Sequence, residues 1–312
     1  MSRISRYQDA LIRFIKTKSY ISDLSKVHKK KYNGLLDSND HLIAIVLLTI
    51  QNNKSRKNKV ILHGYYASTV IELLDIFVKC HDKSISVKEI NNCYGIIPLV
   101  NICLSDNIDY IKKNNKDKLV DNYYKILNNK LIIIMENTKL NVSNDFITKT
   151  DLPKYKFNNE SLLKEKLVNL KTVNKPDLLE HIEKKYGTLC QITIIFGWLF
   201  GFESNEKMDL LEKTGINLGY VIKICYDFEN LENDLENCTN FSTNYVINYG
   251  IQESFELFIQ NKCKFIENCF LLDIYTTTIK EIIDLYELKI DKFVDNTTPD
   301  LKSYYTLSKN KE

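Results

Sequence analysis

Apolar residues recur every three to four positions along most of this chain, in runs too long for strands. The runs cover positions 41–51, 60–80, 92–111, 189–202 and 254–275. Such spacing places apolar side chains on one face of a helix, where they can pack against a neighbouring element. Only nine glycines and four prolines interrupt the 312 residues. The pattern therefore predicts an all-α protein, in which the short apolar run at 131–135 fits a helix end as well as a buried connector.

The polar stretches of the chain predict its organisation. Residues 136–159 contain Pro153 and show no helical period, and apolar helical runs flank them on both sides. Because those runs need partners for their apolar faces, this stretch is interpreted as a loop or insertion within one domain. Residues 296–312 are predominantly polar and are interpreted as a flexible tail. A single helical domain is thus predicted over residues 1–295.

The charge balance and the cysteines limit the classes of function. The 43 basic residues nearly balance the 40 acidic residues, and the two signs are interspersed, so no nucleic-acid-binding face is predicted. The eight cysteines include no C-x-x-C pair, which indicates buried thiols in a reducing compartment. Heavy use of lysine, asparagine and isoleucine suggests an AT-rich genome.

Two segments bear on membranes and targeting. The longest predominantly apolar stretch, 191–202, is shorter than the ~20 residues that a bilayer-spanning helix needs, so no transmembrane segment is expected. The first 18 residues are basic and amphipathic, a pattern that also occurs in mitochondrial targeting peptides. Asp9 and continuity with the following residues favour a first structural helix. A cytoplasmic location is therefore predicted, with the mitochondrion as the alternative.

The stretch at 211–234, LEKTGINLGYVIKICYDFENLEND, carries the candidate chemistry. Apolar residues cover nearly the whole circumference of its predicted helix, which indicates a core element. Its end is acidic, with Asp227, Asn230 and Asp234 at i, i+3 and i+7 along one stripe. Magnesium is held by such oxygen ligands, normally one or two carboxylates plus substrate phosphates. The alternative is an acidic helix end that faces water.

Three more segments occur in a fixed order around this stretch. Residues 72–83 are ELLDIFVKCHDK, residues 93–110 are CYGIIPLVNICLSDNIDY, and residues 185–201 are KYGTLCQITIIFGWLFG. Together with LGYVIKICYDFEN at 218–230, they resemble successive helices of the trans-isoprenyl diphosphate synthases. The resemblance implies an all-α, isoprenoid-synthase-like bundle around a central cavity. In that family, two facing D-D-x-x-D motifs hold magnesium ions that bind the diphosphate of an allylic substrate.

The first motif and the K-T-x-x-L helix of that family are partly retained. Asp82 matches the first motif, but its second and third aspartates fall on Lys83 and Ser86. Thr188 matches the threonine of K-T-x-x-L, while the lysine of that motif falls on Gly187. The resemblance makes Thr188 a candidate ligand-binding residue.

The second motif is also incomplete. Asp227 matches one of its aspartates, whereas Tyr226 and Asn230 replace the other two and Lys223 replaces a glutamine. Asp234 falls where many members of the family carry a further acid. These substitutions remove negative charge and add positive charge at the same end of the predicted helix.

The substitutions predict a reduced metal site. Asp82, Asp227 and Asp234 are the residual magnesium candidates, and they suffice for one weakly held ion bridged by a diphosphate. Metal stabilisation of a departing diphosphate is worth several kcal/mol, and each ~1.4 kcal/mol changes the rate tenfold. The resemblance therefore implies a catalytically degenerate member of the family.

Lysines are candidates for a metal-free clamp on a prenyl diphosphate. Lys83 and Lys223 stand where the family has an acid and a glutamine, and an ammonium is a competent point-charge partner for phosphate. The alternative is that these lysines are solvated or pair with nearby carboxylates, as Lys79 would with Asp75 at i, i+4.

Phe77 is the candidate floor of the cavity. It precedes Asp82 by five positions, a place where a large aromatic side chain shortens the pocket in the family. Five residues of helix descend ~7.5 Å, about the length of one to two isoprene units. The alternative is that Phe77 simply packs in the core.

Three functions are compatible with these residues. The first is a degenerate synthase-like subunit that binds a prenyl diphosphate or forms a homo- or heterodimer with another synthase subunit. The second is an active prenyltransferase that makes short-chain isoprenyl diphosphates with a reduced metal site. The third is a helical scaffold without a ligand. A retained deep apolar cavity would favour the first two over the third.

Overall fold

The computed structural model describes residues 2–18, 26–55, 62–82, 95–113, 117–138, 160–202, 207–238 and 240–295. Within these ranges the helices are α1 (Arg3–Lys16), α2 (Lys26–Ser38), α3 (Leu42–Lys54), α4 (Leu62–Asp82), α5 (Ile96–Lys113), α6 (Asp117–Glu136), α7 (Glu160–Asn169), α8 (Lys175–Ile182), α9 (Thr188–Phe202), α10 (Met208–Glu229), α11 (Leu231–Asn237), α12 (Tyr245–Leu271) and α13 (Thr277–Val294). A π-helical turn, Glu183–Gly187, joins α8 to α9. Among the described residues, extended pairing is limited to one isolated bridge between Lys171 and Phe241. The predicted all-α class is confirmed.

The predicted helical runs correspond to observed helices with shifted ends. The apolar run at 131–135 lies in the last two turns of α6, so it is a helix end. The predicted loop begins where α6 ends, at Glu136, and residues 139–159 lie outside the described residues, as does the predicted tail from 296. The basic amphipathic N-terminus forms α1, which buries Ile4, Leu11 and Ile15.

The centre of the fold is formed by α3, α9 and α10. Every residue of α3 from Leu42 to Gln51 is buried, and α9 is similarly apolar on all sides. A helix buried all round must lie inside a layer of other helices. In this chain α1, α4, α6, α12 and α13 supply that layer.

Glycines allow the central helices to approach closely. A Cβ on Gly197 of α9 would lie 2.8 Å from the Ile50 side chain and 3.0 Å from the Leu47 carbonyl of α3. A Cβ on Gly219 of α10 would lie 2.5 Å from the Gly187 backbone nitrogen in the π turn. Real Cβ atoms do not approach backbone atoms so closely, so the packing of α10 on the π turn requires glycine at this position.

No described helix combines the length and the apolar character that crossing a membrane requires.

The contact between α10 and the π turn predicts a marked effect of Gly219→Ala. The added methyl group would clash with the Gly187 backbone, which cannot rotate away as a side chain could. We expect the free energy of unfolding to fall by about 2–3 kcal/mol, the usual range for overpacking a core. Urea denaturation followed by circular dichroism measures the change.

Gly34→Ala is the matched control for that substitution. Gly34 lies within helix α2, is exposed, and would have nothing within 4 Å of an added Cβ. Alanine should therefore raise the free energy of unfolding by about 0.5–1 kcal/mol, since glycine weakens a helix interior. If Gly219→Ala behaved like Gly34→Ala, the close packing of α10 on the π turn would be wrong.

Candidate functional site

A cleft lies between α4 and α10, the two helices whose ends carry the incomplete motifs. Its volume is about 270 Å³. From α4 and α10 it is lined by Ile76, Lys79, Cys80, Ile222, Cys225, Tyr226 and Glu229, and other elements add Leu35, Ser38, Asn39, Asp40, Tyr286 and Lys289. The cleft therefore presents two ammonium groups and two carboxylates within a partly apolar wall.

The Lys79 ammonium is surrounded by oxygen atoms. Its Nζ lies 2.8 Å from Asp75 Oδ2 and 2.8 Å from Asn39 Oδ1, and 3.7 Å from Asp40 Oδ1. The Asp75 contact is the i, i+4 pair that the sequence analysis gave as the alternative to ligand binding. Burial alone would lower the pKa of Lys79, but the Asp75 and Asp40 carboxylates outweigh it and the pKa is raised. Lys79 is therefore a permanent cation in the cleft.

Asp40 joins three elements through ion pairs. It follows α2, contacts Lys79 of α4, and its Oδ2 lies 3.1 Å from Lys289 Nζ of α13. Lys289 Nζ also lies 3.2 Å from Glu229 Oε2 at the end of α10. Burial alone would raise the pKa of Asp40, but the two ammoniums outweigh it and the pKa is lowered. A carboxylate flanked by two lysines thus holds α4 and α13 together on one side of the cleft.

A second set of polar contacts, centred on Glu72 of α4, adjoins this arrangement. Glu72 Oε1 accepts hydrogen bonds from Asn39 Nδ2 at 2.6 Å and lies 2.8 Å from His41 Nδ1. His41 has a left-handed backbone with φ of 60° and begins the turn into α3. Burial lowers the pKa of His41, but the Glu72 carboxylate more than compensates and the pKa is raised. The same asparagine donates to Asp75 Oδ2 at 2.9 Å, so the two sets of contacts form one network.

Asp227 lies outside this cleft, in a buried ion pair. Its Oδ1 lies 2.6 Å from Lys223 Nζ, and the two side chains are 0% and 1% exposed. Its Oδ2 accepts the backbone N–H of Tyr245, the first residue of α12, at 2.8 Å. Burial raises the pKa of Asp227 to about 7, while Lys223 and the Tyr245 N–H oppose the shift. Both oxygens of the predicted magnesium ligand are therefore engaged by protein groups.

Asp234 belongs to the same buried network as Asp227. Asn244, the N-cap of α12, donates through Nδ2 to Asp234 Oδ2 at 2.9 Å and to the Asp227 carbonyl at 2.8 Å. The predicted acidic stripe assumed one continuous helix. In the structure α10 ends at Glu229, Asn230 has φ of −105°, and α11 follows. Asp227 and Asp234 are nevertheless brought together, because both contact Asn244.

The other predicted site residues lie in different surroundings. Phe77 is fully buried, and its ring contacts that of His81 in a tilted arrangement, with centroids 4.3 Å apart. Thr188 is buried at the start of α9, and its hydroxyl donates to the Glu183 carbonyl at 3.4 Å across the π turn. Asp82 is the last residue of α4, and its side chain lies outside the described part of the structure. Lys83 lies outside it altogether.

The cleft residues do not fit the magnesium ions that the resemblance implies. Magnesium needs oxygen ligands in near-octahedral geometry. The cleft carboxylates Asp40 and Glu229 are instead paired with the ammoniums of Lys79 and Lys289. Across the described ranges, no three His, Cys, Asp or Glu side chains come together in a way that could hold a metal ion.

The sequence analysis missed Asp40 and Lys289. They are separated by 249 positions, and neither belongs to a recognisable motif. For Asp40 the sequence gives one local indication, its position just before a helix. There its Oδ1 accepts the N–H of Leu42 at 3.2 Å. The tertiary fold alone brings Asp40 and Lys289 into the cleft.

Known structures match this chain, whereas known sequences and sequence families do not. No family model and no curated protein sequence matches the chain. Solved structures do match. A geranyltranstransferase from Methanosarcina mazei aligns with a TM-score of 0.59 at 13% identity, covering 94% of this chain and 98% of that one.

Two further structures agree with that match. An FPP/GFPP synthase from Zymomonas mobilis aligns with a TM-score of 0.54 at 9% identity, covering 91% of this chain and 97% of the other. A Helicobacter pylori geranyltransferase complexed with magnesium and isoprenyl diphosphate aligns with a TM-score of 0.54 at 12% identity, covering 94% and 99%. The chain thus has the all-α fold of the isoprenoid synthases.

Proposed function

We propose that this chain is a catalytically inactive relative of the isoprenyl diphosphate synthases that acts as a ligand-binding or partner subunit in isoprenoid metabolism. One observation carries the proposal. In the cleft between the two motif-bearing helices, the carboxylates are neutralised by Lys79 and Lys289. A site whose carboxylates are already paired with lysines is poorly suited to bind the magnesium ions that a departing diphosphate requires.

The state of Asp227 supports the same proposal. It is the aspartate retained from the second motif, and its two oxygens bind Lys223 and the N–H of Tyr245. Magnesium coordination by Asp227 would have to break a buried ion pair, which costs several kcal/mol. A role for Asp227, Asp234 and Asp82 in holding a single magnesium ion remains a prediction.

A ligand-binding role draws on the cations of the cleft. Lys289 is partly exposed, lines the cleft, and is shared by two carboxylates. A diphosphate could compete with Glu229 for its ammonium, since lysine serves as a point-charge partner of phosphate. The cleft also offers apolar contacts from Ile76 and Ile222 for a prenyl chain. The partner role rests on analogy with non-catalytic members of the family.

The size of the cleft favours a second candidate, a helical scaffold without a ligand. Its volume of about 270 Å³ is below the ~300–1,000 Å³ typical of small-molecule pockets. Phe77 fills core space on α4 beside His81.

The purified chain should show no chain elongation. Incubation with geranyl or farnesyl diphosphate, isopentenyl diphosphate and magnesium should give no longer prenyl product, because the described cleft lacks a metal-binding carboxylate cluster. Radiolabelled product extraction measures this, with an active synthase in parallel as control. Elongation at the rate of that control would refute the inactive assignment.

A prenyl diphosphate should bind the cleft with little dependence on magnesium. Titration calorimetry with farnesyl diphosphate should give similar affinity with and without the metal. Lys289→Gln should weaken binding about tenfold, as expected when one charged contact is lost. Lys292→Gln is the matched control, since Lys292 is exposed on the same helix and does not line the cleft. Absence of heat under both conditions would favour the scaffold.

The buried Lys223–Asp227 pair should behave as a structural pair. Lys223→Met alone leaves a buried carboxylate without its cation and should lower the free energy of unfolding by about 3–5 kcal/mol. Adding Asp227→Asn removes the charge but keeps an acceptor for the Tyr245 N–H, and should recover much of that loss. Urea denaturation of the single and double variants measures both.

The loss in Lys223→Met should also depend on pH. Burial already raises the pKa of Asp227 to about 7, and losing Lys223 raises it further. A carboxyl group whose pKa is raised in the folded state favours folding when protonated, so stability is lost as pH rises through that pKa. The deficit should be smaller at pH 5 than at pH 8. A deficit that is equal at both values would contradict the buried pair.

A further inference from the structure

A second cavity lies far from the cleft, where α1, α3, α4 and the start of α13 meet. Its volume is about 580 Å³, within the range of small-molecule pockets. Tyr65, near the start of α4, lines this cavity, whereas Lys79, near the end of α4, lines the cleft. Fourteen residues of helix separate the two, or about 21 Å. The cavity, called here the α1–α13 pocket, shares no lining residue with the cleft.

The charge of the α1–α13 pocket has one sign. Arg3 and Arg6 line it, and no acidic residue does. Within the described residues, neither guanidinium forms an ion pair with a carboxylate. The chain has only four arginines, and two of them border this one cavity. Each of the two can donate bidentate hydrogen bonds. Such donors match the geometry of phosphate.

The N-terminus of α13 opens into the same pocket. Thr276 caps the helix by accepting the N–H of Ile279 at 3.2 Å, and both Thr276 and Thr278 line the pocket. Helix geometry leaves the amides of Thr277 and Thr278 without partners inside the helix. The first turn of this 18-residue helix carries no acidic residue to offset its positive end. The end of α13 is therefore suited to an anion.

Thr49 belongs to the wall of the pocket but is not a donor to a ligand. It is 3% exposed, and its hydroxyl interacts with that of Tyr7. Because its oxygen is itself shielded from solvent, Thr49 contributes to the shape of the wall and not to anion binding.

The hydroxyl of Tyr7 is held by its neighbours. Its Oη accepts a hydrogen bond from Asn52 Nδ2 at 3.0 Å and interacts with the Thr49 hydroxyl. The rings of Tyr7 and Tyr65 line the same pocket as the arginines and supply flat apolar surface. A ligand with one phosphate end and a small organic body would satisfy both parts of the wall.

We propose that the α1–α13 pocket binds a phosphorylated small molecule, whose phosphate is held by Arg3, Arg6 and the first turn of α13. This site is separate from the cleft between α4 and α10 and does not depend on the proposed function.

Binding of inorganic diphosphate to the full-length chain tests the site. Titration calorimetry is run at constant ionic strength, so that general screening is the same throughout. Wild type should bind saturably. Arg3→Gln combined with Arg6→Gln should weaken binding at least tenfold.

Two control variants locate the bound diphosphate. Arg13→Gln changes an arginine of the same helix that lies outside the pocket and donates to the Asp9 carbonyl, so it should bind like wild type. Because diphosphate can also bind Lys289 in the cleft, the double arginine substitution is repeated in the Lys289→Gln background, where its loss of binding should persist. Absence of saturable binding, unchanged binding in the double arginine variant, or loss confined to Lys289→Gln would each overturn the proposal. Circular dichroism of each variant checks that it is folded.

Discussion

The structure depends on the neutralisation of buried carboxylates by lysines. Unpaired charges in a protein interior cost many kcal/mol, so each must find a partner when the helices pack. Lys223 supplies that partner for Asp227, and Lys79 supplies it for Asp75. The two pairs lie on α10 and α4, which both line the cleft. At Asp227, where the resemblance implies a metal ligand, the structure thus has an internal ion pair.

These pairs also organise the surrounding helices. Asp227 receives the first N–H of α12, and Asn244 links the same region to Asp234, so the start of α12 is fastened to the end of α10. Asp40 joins Lys79 to Lys289 and so connects α4 with α13. Asp227 and Asp234, two of the residues that resemble metal ligands, therefore have an architectural use in this fold.

The cleft and the α1–α13 pocket differ in chemistry. In the cleft every carboxylate and ammonium has a partner of opposite sign, so a diphosphate must compete with Glu229 for Lys289. The α1–α13 pocket is lined by Arg3, Arg6 and the N-terminal residues of α13, and no acidic residue lines it. The electrostatic attraction for an anion is therefore stronger in the α1–α13 pocket than in the cleft.

The sequence by itself determined the helices and the fold class. Local periodicity is enough for that, because the apolar faces of α3, α4, α9 and α10 recur within one or two turns. It also indicated the Asp75–Lys79 pair, since i, i+4 neighbours meet on any helix. Only the tertiary structure decided which long-range partners the carboxylates have. Lys289 reaches Asp40 from 249 positions away, and Asp227 turns towards α12 because Tyr245 presents an N–H there. Such long-range pairings follow from how the helices pack, and local sequence carries no signal for them.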